Sequence, residues 1–355
     1  MCMQYKKELE YVGNISQLIH VQESRLTGGK ADGVRMLNVR NGSGISFEVA
    51  ADRGMDIPYL NYRGINTGFL AFPGVIAPTY FREEGNGFLH SFTAGFLTTC
   101  GLWNIGNPGE YRGREYGLHG QISHTPAEAF GYWLEEEGEK PVVHIRGSMK
   151  EGEIFKEKLS MERTIRCEYR ERKISLQDIV TNHGFIPEQH MLLYHFNLGY
   201  PLLDEEALLY IPSEEICPRT QNAKADAENW RQICVPEEGY EEKCYYHRLY
   251  RDEDGMCRVG LFQPKLGFGV GIRFDGKVLD RFVQWKMMGK GDYVMGLEPC
   301  NCTIDGVKDA CEKGAVRFLK PGEKVIYRTE IIIFDGWKEF ADFKKGVPYG
   351  EMVSE

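Results

Sequence analysis

The chain has 355 residues, with 43 Lys and Arg side chains against 52 Asp and Glu, which gives a formal net charge of −9. Nucleic acids and anionic membranes bind concentrated basic surfaces, so this acidic balance argues against both as main partners. The length is sufficient for a large hydrophobic core, without stabilisation by disulfides or structural metals.

The ten cysteines contain no C-x-x-C pair, and the closest spacing is Cys300 to Cys302. That spacing is wrong for a zinc knuckle or a thioredoxin-type motif. Scattered thiols in a large chain are typical of a reducing cytosol. The first residues are polar, unlike a signal peptide, and no apolar run approaches the roughly 20 residues of a membrane span. The sequence therefore predicts a soluble, cytoplasmic protein.

Alternating apolar residues between glycine-rich turns predict a series of antiparallel strands. The composition includes 41 Gly, 19 Tyr and 19 Phe, which is typical of aromatic-rich strands joined by many turns. In chain order, a period of two predicts strands at residues 45–49, 173–180 and 324–331. Turns at 41–44 and 321–323 precede the first and the last of them.

A hairpin is also predicted, with strands at residues 269–274 and 277–279. Asp275-Gly276 would form its turn, because Asp-Gly tolerates the positive φ angles of a two-residue turn.

Helical patterns are few, and the best candidates are residues 8–11 and 338–344. The sequence therefore argues against alternating βαβ architecture. Residues 205–242 are acidic and weakly periodic, which favours a long solvated excursion from a β scaffold over a separate domain. We predict a single all-β domain over residues 1–355.

Three segments place an ionisable side chain in an apolar or glycine-flanked setting, where a pKa can shift toward neutrality. They carry His119 in 116–120, His195 in 190–198 and Glu298 in 296–301. The alternative for His119 is a hydrogen-bonded core histidine. The carboxylate of Glu298 is either a paired buried charge or a functional base. The pattern favours general acid and base catalysis.

Metal binding is a competing use of these side chains. A zinc, manganese or iron site could be drawn from five residues, namely His119, His124, His190, His195 and Glu298. However, residues five apart on a strand point to opposite faces, so neither neighbouring His pair can enter one site without a bulge. The chain also lacks a phosphate-binding loop and a G-x-S-x-G nucleophile elbow.

These segments resemble motifs of the aldose 1-epimerase, or galactose mutarotase-like, superfamily. Thr181-Asn182 followed by His195-Phe196-Asn197-Leu198 is similar to its T-N and H-x-Y-F-N-L region. Leu118-His119-Gly120 is similar to its L-H-G motif, and Gly296-Leu297-Glu298-Pro299 resembles its late L-E-P segment. The three motifs occur in the right order over roughly residues 30–335, as in a divergent branch of the superfamily.

The resemblance implies a large antiparallel β-sandwich and an aldose 1-epimerase that interconverts sugar anomers through an open chain. It implies His195 as the general acid and Glu298 as the catalytic base, without a cofactor. We expect burial to bring the pKa of Glu298 toward the working pH, and an imidazole facing it to stay protonated more readily.

The substrate contacts are implied less directly. His119, Asn197 and Trp285 are expected to contact the sugar, and Trp103 and Phe196 are further candidates for stacking on its ring. The arginine of the superfamily has no clean match, and its candidates in this chain are Arg53, Arg82, Arg112 and Arg114. We predict that Arg53 supplies it, with a surface ion cluster of Asp52, Arg53 and Asp56 as the alternative.

Two other functions stay open from the sequence. One is a metal-dependent isomerase or lyase on a sugar derivative, with His119, His195 and Glu298 as ligands. The other is a carbohydrate-binding or sensing protein without turnover. In each case the expected partner is a small-molecule sugar, without nucleic acid or membrane, and a homodimer is compatible with the sequence.

Overall fold

The structure, a computed structural model, describes residues 2–137 and 140–347. Strands account for 49% of the described residues and helices for 13%. This composition confirms the predicted all-β class, with helix content well below the roughly one third of an average globular protein.

The strands are short and numerous, as the glycine-rich sequence predicts. In chain order they are β1 (His20–Arg25), β2 (Arg35–Arg40), β3 (Ile45–Ala50), β4 (Asp56–Tyr62), β5 (Ile65–Asn66), β6 (Phe69–Leu70), β7 (Ala94–Gly95), β8 (Leu97–Leu102), β9 (Gly109–Tyr111), β10 (Arg114–Tyr116), β11 (Glu128–Glu137), β12 (Lys140–Gly152), β13 (Lys158–Glu168), β14 (Lys173–Asn182), β15 (Glu188–Gly199), β16 (Leu208–Tyr210), β17 (Ser213–Pro218), β18 (Lys243–Leu249), β19 (Met256–Gln263), β20 (Phe268–Asp275), β21 (Arg281–Met288), β22 (Tyr293–Cys300), β23 (Arg317–Leu319) and β24 (Lys324–Asp335). The α-helices are α1 (Cys2–Leu9), α2 (Gln221–Ala225), α3 (Val307–Glu312) and α4 (Trp337–Lys344).

Two antiparallel sheets contain most of these strands. Within the described residues, a twelve-stranded sheet has the order β1-β2-β3-β4-β8-β15-β22-β21-β18-β17, with β5 beside β4 and β23 beside β15. An eight-stranded sheet in the same part of the chain has the order β11-β12-β13-β14-β24-β20-β19-β16. Side chains from both sheets form one buried hydrophobic cluster, so the sheets pack as a sandwich. The assignment of residues 1–355 to one domain stays a prediction.

The predicted strands at 45–49, 173–180 and 324–331 are confirmed as parts of β3, β14 and β24. Along β14 and β24, buried side chains alternate with more exposed ones, which is the pattern of a strand with one face on the core. The predicted helix at 338–344 lies within α4, whereas α1 ends at Leu9 and includes only the start of the predicted 8–11.

The predicted hairpin over 269–279 is wrong in its second half. Residues 269–274 lie in β20, but 277–279 form a turn in which Asp275 O accepts the N–H groups of Val278 and Leu279. Leu279 is buried, and the next strand, β21, belongs to the other sheet. The Asp-Gly turn therefore carries the chain from one sheet to the other, because burial of Leu279 overrides the local hairpin preference.

The prediction of a solvated excursion at 205–242 is also corrected. This segment contains β16 and β17, which are end strands of the eight-stranded and twelve-stranded sheets, respectively. It also contains α2 and the buried Trp230. The weak periodicity reflects strands too short to show a pattern.

A buried ion cluster connects the two sheets. Arg163 on β13 donates to Asp178 on β14, with Nε–Oδ1 at 2.9 Å and Nη2–Oδ2 at 2.7 Å. The same guanidinium donates to Asp56 of β4 and Thr99 of β8, at 3.1 and 2.9 Å. The hydroxyl of Tyr194 on β15 donates to Asp178 at 2.6 Å. Burial lowers the pKa of Arg163, but the charges of Asp178 and Asp56 outweigh this effect and raise it above its ordinary value.

We expect Arg163→Met to lower the free energy of unfolding by about 3–5 kcal/mol, because it leaves two buried carboxylates without their cation. Chemical denaturation measures this change. Arg146→Met is the control, since Arg146 on the neighbouring β12 forms an exposed ion pair with Glu162 that is worth at most about 1 kcal/mol. Equal losses in the two variants would show that the cluster contributes no more than a surface pair.

Another buried carboxyl, outside the Arg163 cluster, extends from the eight-stranded sheet toward the twelve-stranded one. Glu151 on β12 accepts the N–H of Leu102 at 3.3 Å and the hydroxyl of Thr125 at 3.4 Å. Burial is the main cause that raises the pKa of Glu151 to about 8, and its hydrogen bonds and the charge of Arg114 oppose the shift. Glu151 is therefore largely protonated at neutral pH.

This shift predicts how stability depends on pH. Since the ordinary pKa is 4.5 and the folded pKa is about 8, the folded state binds more protons between these values. The free energy of unfolding should therefore fall as pH rises through this window, by at most about 1.4 kcal/mol per pH unit from this group.

Glu151→Gln should remove this dependence. The stability of the variant relative to the parent should rise from pH ~5 to ~8 and then level off. Chemical denaturation at several pH values measures the difference, with Glu162→Gln at the surface as the control. A difference that is constant with pH would contradict the raised pKa.

Candidate active site

Two central strands of the twelve-stranded sheet carry the predicted acid and base. In the register of β15 and β22, Leu193 pairs with Cys300 and Phe196 with Leu297, which places His195 opposite Glu298. Since Tyr194 points into the sandwich, His195 points to the outer face of the sheet. His119 lies in a loop beside them, with its ring centroid 5.9 Å from that of His195. We call His119, His195 and Glu298 the acid–base cluster.

The acid and the base are in direct contact. His195 Nε2 lies 3.3 Å from Glu298 Oε1. The two side chains are 6% and 2% exposed, so solvent screens this contact very little. The two groups are close but not hydrogen-bonded, since Glu298 Oε1 has no hydrogen-bond partner among the described residues. Two titratable groups this near each other suit paired general acid and base chemistry.

Burial determines the protonation of the pair. It raises the pKa of Glu298 well above its ordinary range, and the negative charge of Glu242 raises it further, while Arg219 opposes the shift. Burial lowers the pKa of His195 to about 3, and His119 contributes to the lowering. The expectation that an imidazole facing Glu298 stays protonated more readily is therefore contradicted for the free protein, because desolvation is the main cause of the lowered pKa of His195. Burial disfavours the charged form of each group.

The loop conformation fixes His119. His119 has a left-handed φ of 60°, and its Nδ1 accepts the N–H of Gly106 at 3.3 Å. Burial lowers the pKa of His119 to about 4, with a contribution from Arg219, so the neutral ring carries its proton on Nε2. Gly120 must follow it, since a Cβ there would lie 2.2 Å from Gly101 O. The L-H-G motif thus presents a neutral N–H donor beside His195.

Aromatic side chains surround the His195 ring. Phe92 and Trp285 each make edge contacts with it, with ring centroids 5.3 Å away. The indole N–H of Trp285 donates to Glu242 at 2.7 Å, which holds the half-buried ring in place. These rings and the low exposure of the pair shield it from solvent.

The structure reveals a site arginine that the sequence analysis missed. Arg219, directly after β17, donates from Nε to Asp305 at 2.8 Å and from Nη2 to Asn107 at 2.9 Å. Tyr246 donates to the other Asp305 oxygen at 2.8 Å. The charge of Arg219 acts on both His119 and Glu298. Its segment has weak periodicity and no motif, so the sequence contained no signal for it.

The predicted arginine, Arg53, lies elsewhere. Arg53 is buried and donates to the carbonyls of Ser123 and Ser91 at 2.7 and 3.0 Å. Its Nη2 lies 3.0 Å from His124 Nε2. No hydrogen bond of the described residues joins it to the acid–base cluster. The contacts assign Arg53 a structural role, and they also replace the surface-cluster alternative, because the residue is not at the surface.

The other candidate arginines and aromatic residues also lie outside the cluster. Arg82, Arg114 and Trp103 line a neighbouring cavity of about 1040 Å³, which His195 and Glu298 do not line. The Arg114 guanidinium covers the Trp103 ring at 4.4 Å from its centroid. Arg112 stacks on the partly exposed Tyr111, and Phe196 is fully buried against core aromatics.

Asn197, an expected substrate contact, has its amide nitrogen bonded to backbone carbonyls. It is 0% exposed, and its amide nitrogen donates to Ala94 O at 3.1 Å and His195 O at 2.9 Å. Of the predicted substrate contacts, the structure thus brings His119 and Trp285 to the acid–base pair, and it places Arg53 and Asn197 in the surrounding structure.

The other two histidines of the predicted metal set, His124 and His190, have structural partners. His190, five residues before His195 on β15, bonds to the hydroxyl of Tyr327 at 2.8 Å inside the sandwich, as the opposite-face argument predicts. Within residues 2–137 and 140–347, no group of three or more His, Cys, Asp and Glu side chains is arranged to hold a metal ion. In the same residues, no helix has the length and apolar character required to cross a bilayer.

Solved structures share the fold. A protein from Klebsiella pneumoniae provisionally designated an aldose 1-epimerase superposes with a TM-score of 0.88 at 23% identity, over 96% of this chain and 94% of that one. A galactose mutarotase-like protein from Clostridium acetobutylicum gives 0.65 at 12% identity, over 90% and 99%. Galactose 1-epimerase from Lactobacillus acidophilus gives 0.56 at 11% identity, over 89% and 99%. No curated protein matches the chain by sequence.

These superpositions confirm the resemblance at the level of the fold, since the identities are low. A family model described as "Domain of unknown function (DUF4432)" matches residues 31–333. That match spans most of the chain, and the protein therefore belongs to the DUF4432 family, with a galactose mutarotase-like β-sandwich.

Proposed function

We propose that this protein is an isomerase that interconverts the α and β anomers of an aldose. The observation that carries the proposal is the direct 3.3 Å contact between His195 and Glu298 on adjacent central strands. Anomerisation needs one group that accepts a proton and one that donates a proton, both close to the two oxygens of the anomeric carbon. A buried carboxyl beside a buried imidazole supplies both.

The proton balance follows from the state of the free pair. Neutral His195 accepts the proton of the anomeric hydroxyl, O1, while the Glu298 carboxylic acid donates its proton to the ring oxygen, O5. The C1–O5 bond breaks and O1 becomes a carbonyl oxygen. Rotation about C1–C2 then exposes the other carbonyl face.

Reclosure reverses both transfers. The Glu298 carboxylate removes the proton from the O5 hydroxyl, and the His195 imidazolium returns a proton to O1 as O5 attacks C1. Each group therefore acts once as acid and once as base. This proposal reverses the roles that the resemblance implies for ring opening, in which the Glu298 carboxylate removes the O1 proton and the His195 imidazolium protonates O5.

Neighbouring side chains support the same chemistry. The neutral His119 offers its Nε2–H to a sugar oxygen, and Arg219 stabilises the carboxylate of Glu298 once the proton has left. Trp285 presents an aromatic surface that can cover the apolar face of a sugar ring.

The first test replaces each member of the pair. Glu298→Gln and His195→Asn should each lower the rate of anomerisation by roughly 10²–10⁴, because each removes one proton-transfer partner. Polarimetry on freshly dissolved pure anomers of a panel of aldoses measures the rate. Glu188→Gln is the matched control, since Glu188 is a buried carboxyl near the other end of β15.

The results distinguish failure of the proposed function from failure of the residue assignment. If the parent protein accelerates the anomerisation of no aldose in the panel, the proposed function is wrong. If it accelerates one and both variants keep the full rate, the assignment of the pair is wrong.

A second test concerns the space that the carboxyl occupies. Gly296 lies on the same face of β22, and a Cβ there would come within 2.5 Å of Glu298 Oε1 and 2.8 Å of the Trp285 Cβ. Gly296→Ala should therefore displace the carboxyl and lower the rate about tenfold or more, since small misplacements of catalytic groups are costly.

Gly131→Ala is the control for Gly296→Ala. Gly131 lies on β11, has open space where the methyl group of an alanine would lie and needs no positive φ. The anomerisation rate and the stability of Gly131→Ala should stay close to those of the parent protein. An unchanged rate in Gly296→Ala would show that the position of Glu298 Oε1 is not critical.

A further inference from the structure

Three buried polar atoms at the acid–base pair lack a hydrogen-bond partner within the described residues, and one of them is Glu298 Oε1. The other two are His195 Nδ1 and Asn197 Oδ1, each shielded from solvent. The residues are two apart on β15, so their side chains lie on the same face of the sheet. Buried polar atoms are normally paired, so two unpaired atoms on neighbouring side chains indicate an interaction between them.

The orientation of the Asn197 amide is determined by its surroundings. Its nitrogen faces two backbone carbonyls, Ala94 O at 3.1 Å and His195 O at 2.9 Å. A carbonyl only accepts hydrogen bonds, so the NH₂ group must occupy this position. The amide oxygen therefore points away from them. Residue 296, which pairs with Asn197 across the strands, is a glycine, so no side chain there competes for this oxygen.

We propose that Asn197 is a positioning residue that fixes the tautomer of His195: its Oδ1 accepts the Nδ1–H, which leaves Nε2 as the unprotonated nitrogen facing Glu298. The Asn197 side chain also favours protonation of His195, as a hydrogen-bond acceptor does. The tautomer assignment stands on the geometry alone, while its catalytic consequence rests on the proposed function.

The tautomer decides whether the pair can work. With the proton on Nδ1, the Nε2 lone pair can accept the proton of Glu298 or the proton of a sugar hydroxyl. With the proton on Nε2, the lone pair would lie on Nδ1, which does not face Glu298, and no nitrogen base would face the pair. A histidine base requires the correct nitrogen to be free, and the partner of its other nitrogen sets this.

Nitrogen NMR of the protein labelled with ¹⁵N in its histidine rings tests the proposal. The His195 signals are assigned by their loss in His195→Asn. We expect a neutral ring with its proton on Nδ1 in the parent protein without sugar. A proton on Nε2 would overturn the proposal directly, whether or not the protein has epimerase activity.

Two substitutions separate positioning from simple structural support. Both Asn197→Leu and Asn197→Asp lose the NH₂ contacts to Ala94 O and His195 O, but only Asp keeps an oxygen for Nδ1–H. Asn197→Asp should retain the Nδ1–H tautomer and raise the pKa of His195, whereas Asn197→Leu should yield the Nε2–H form or a mixture. Identical tautomers in the two variants would contradict the proposal.

The kinetic expectation follows from the tautomer. Asn197→Leu should lower kcat by roughly 10²-fold with little change in KM, a loss within the range seen when the partner that fixes a histidine is removed. Asn41→Leu is the matched control, because the Asn41 amide is buried and also donates to two backbone carbonyls, Glu168 O and Glu171 O, away from the site. It should lose stability while the His195 tautomer and kcat stay unchanged. If Asn41→Leu lowers kcat as much as Asn197→Leu does, the loss of any buried amide is enough to explain the effect and the proposal is wrong.

Discussion

The buried guanidinium of Arg163 is the interaction on which the position of the candidate site depends. It joins Asp178 of the eight-stranded sheet to Asp56 of the twelve-stranded sheet, and Tyr194 donates to the same Asp178 carboxylate. Tyr194 precedes His195, and side chains alternate along a strand. Holding Tyr194 against the interior therefore holds His195 on the outer face. A charge buried this deeply is tolerated only when it is fully paired, which makes the arrangement specific.

Burial also determines the chemistry at the outer face of the twelve-stranded sheet. Strand β15 is buried along its whole length, and on its outer face Phe92 and His119 pack against His195. In such a setting burial disfavours the charged forms of both groups, which raises the pKa of Glu298 and lowers the pKa of His195.

Segments distant in sequence complete the environment of the pair. Arg219 and Glu242 come from the two ends of the stretch between β17 and β18, and their opposite charges act on Glu298 in opposite directions. Asp305 and Tyr246 hold Arg219 in place. The electrostatic balance at Glu298 thus depends on how these loops close over the sheet, and not on the strands that carry the acid and the base.

The sequence by itself determined the β class, several strands and the identity of His119, His195 and Glu298, because alternation and short motifs are local properties. It could not identify Arg219, since that residue lies where strands are too short to show a period. It misplaced Arg53, because whether a polar side chain faces the site or a backbone carbonyl depends on segments far along the chain. The protonation of His195 also required the tertiary structure. A pKa responds to burial and to neighbouring charges, and both are set only when β8, β15, β22 and the covering loops come together.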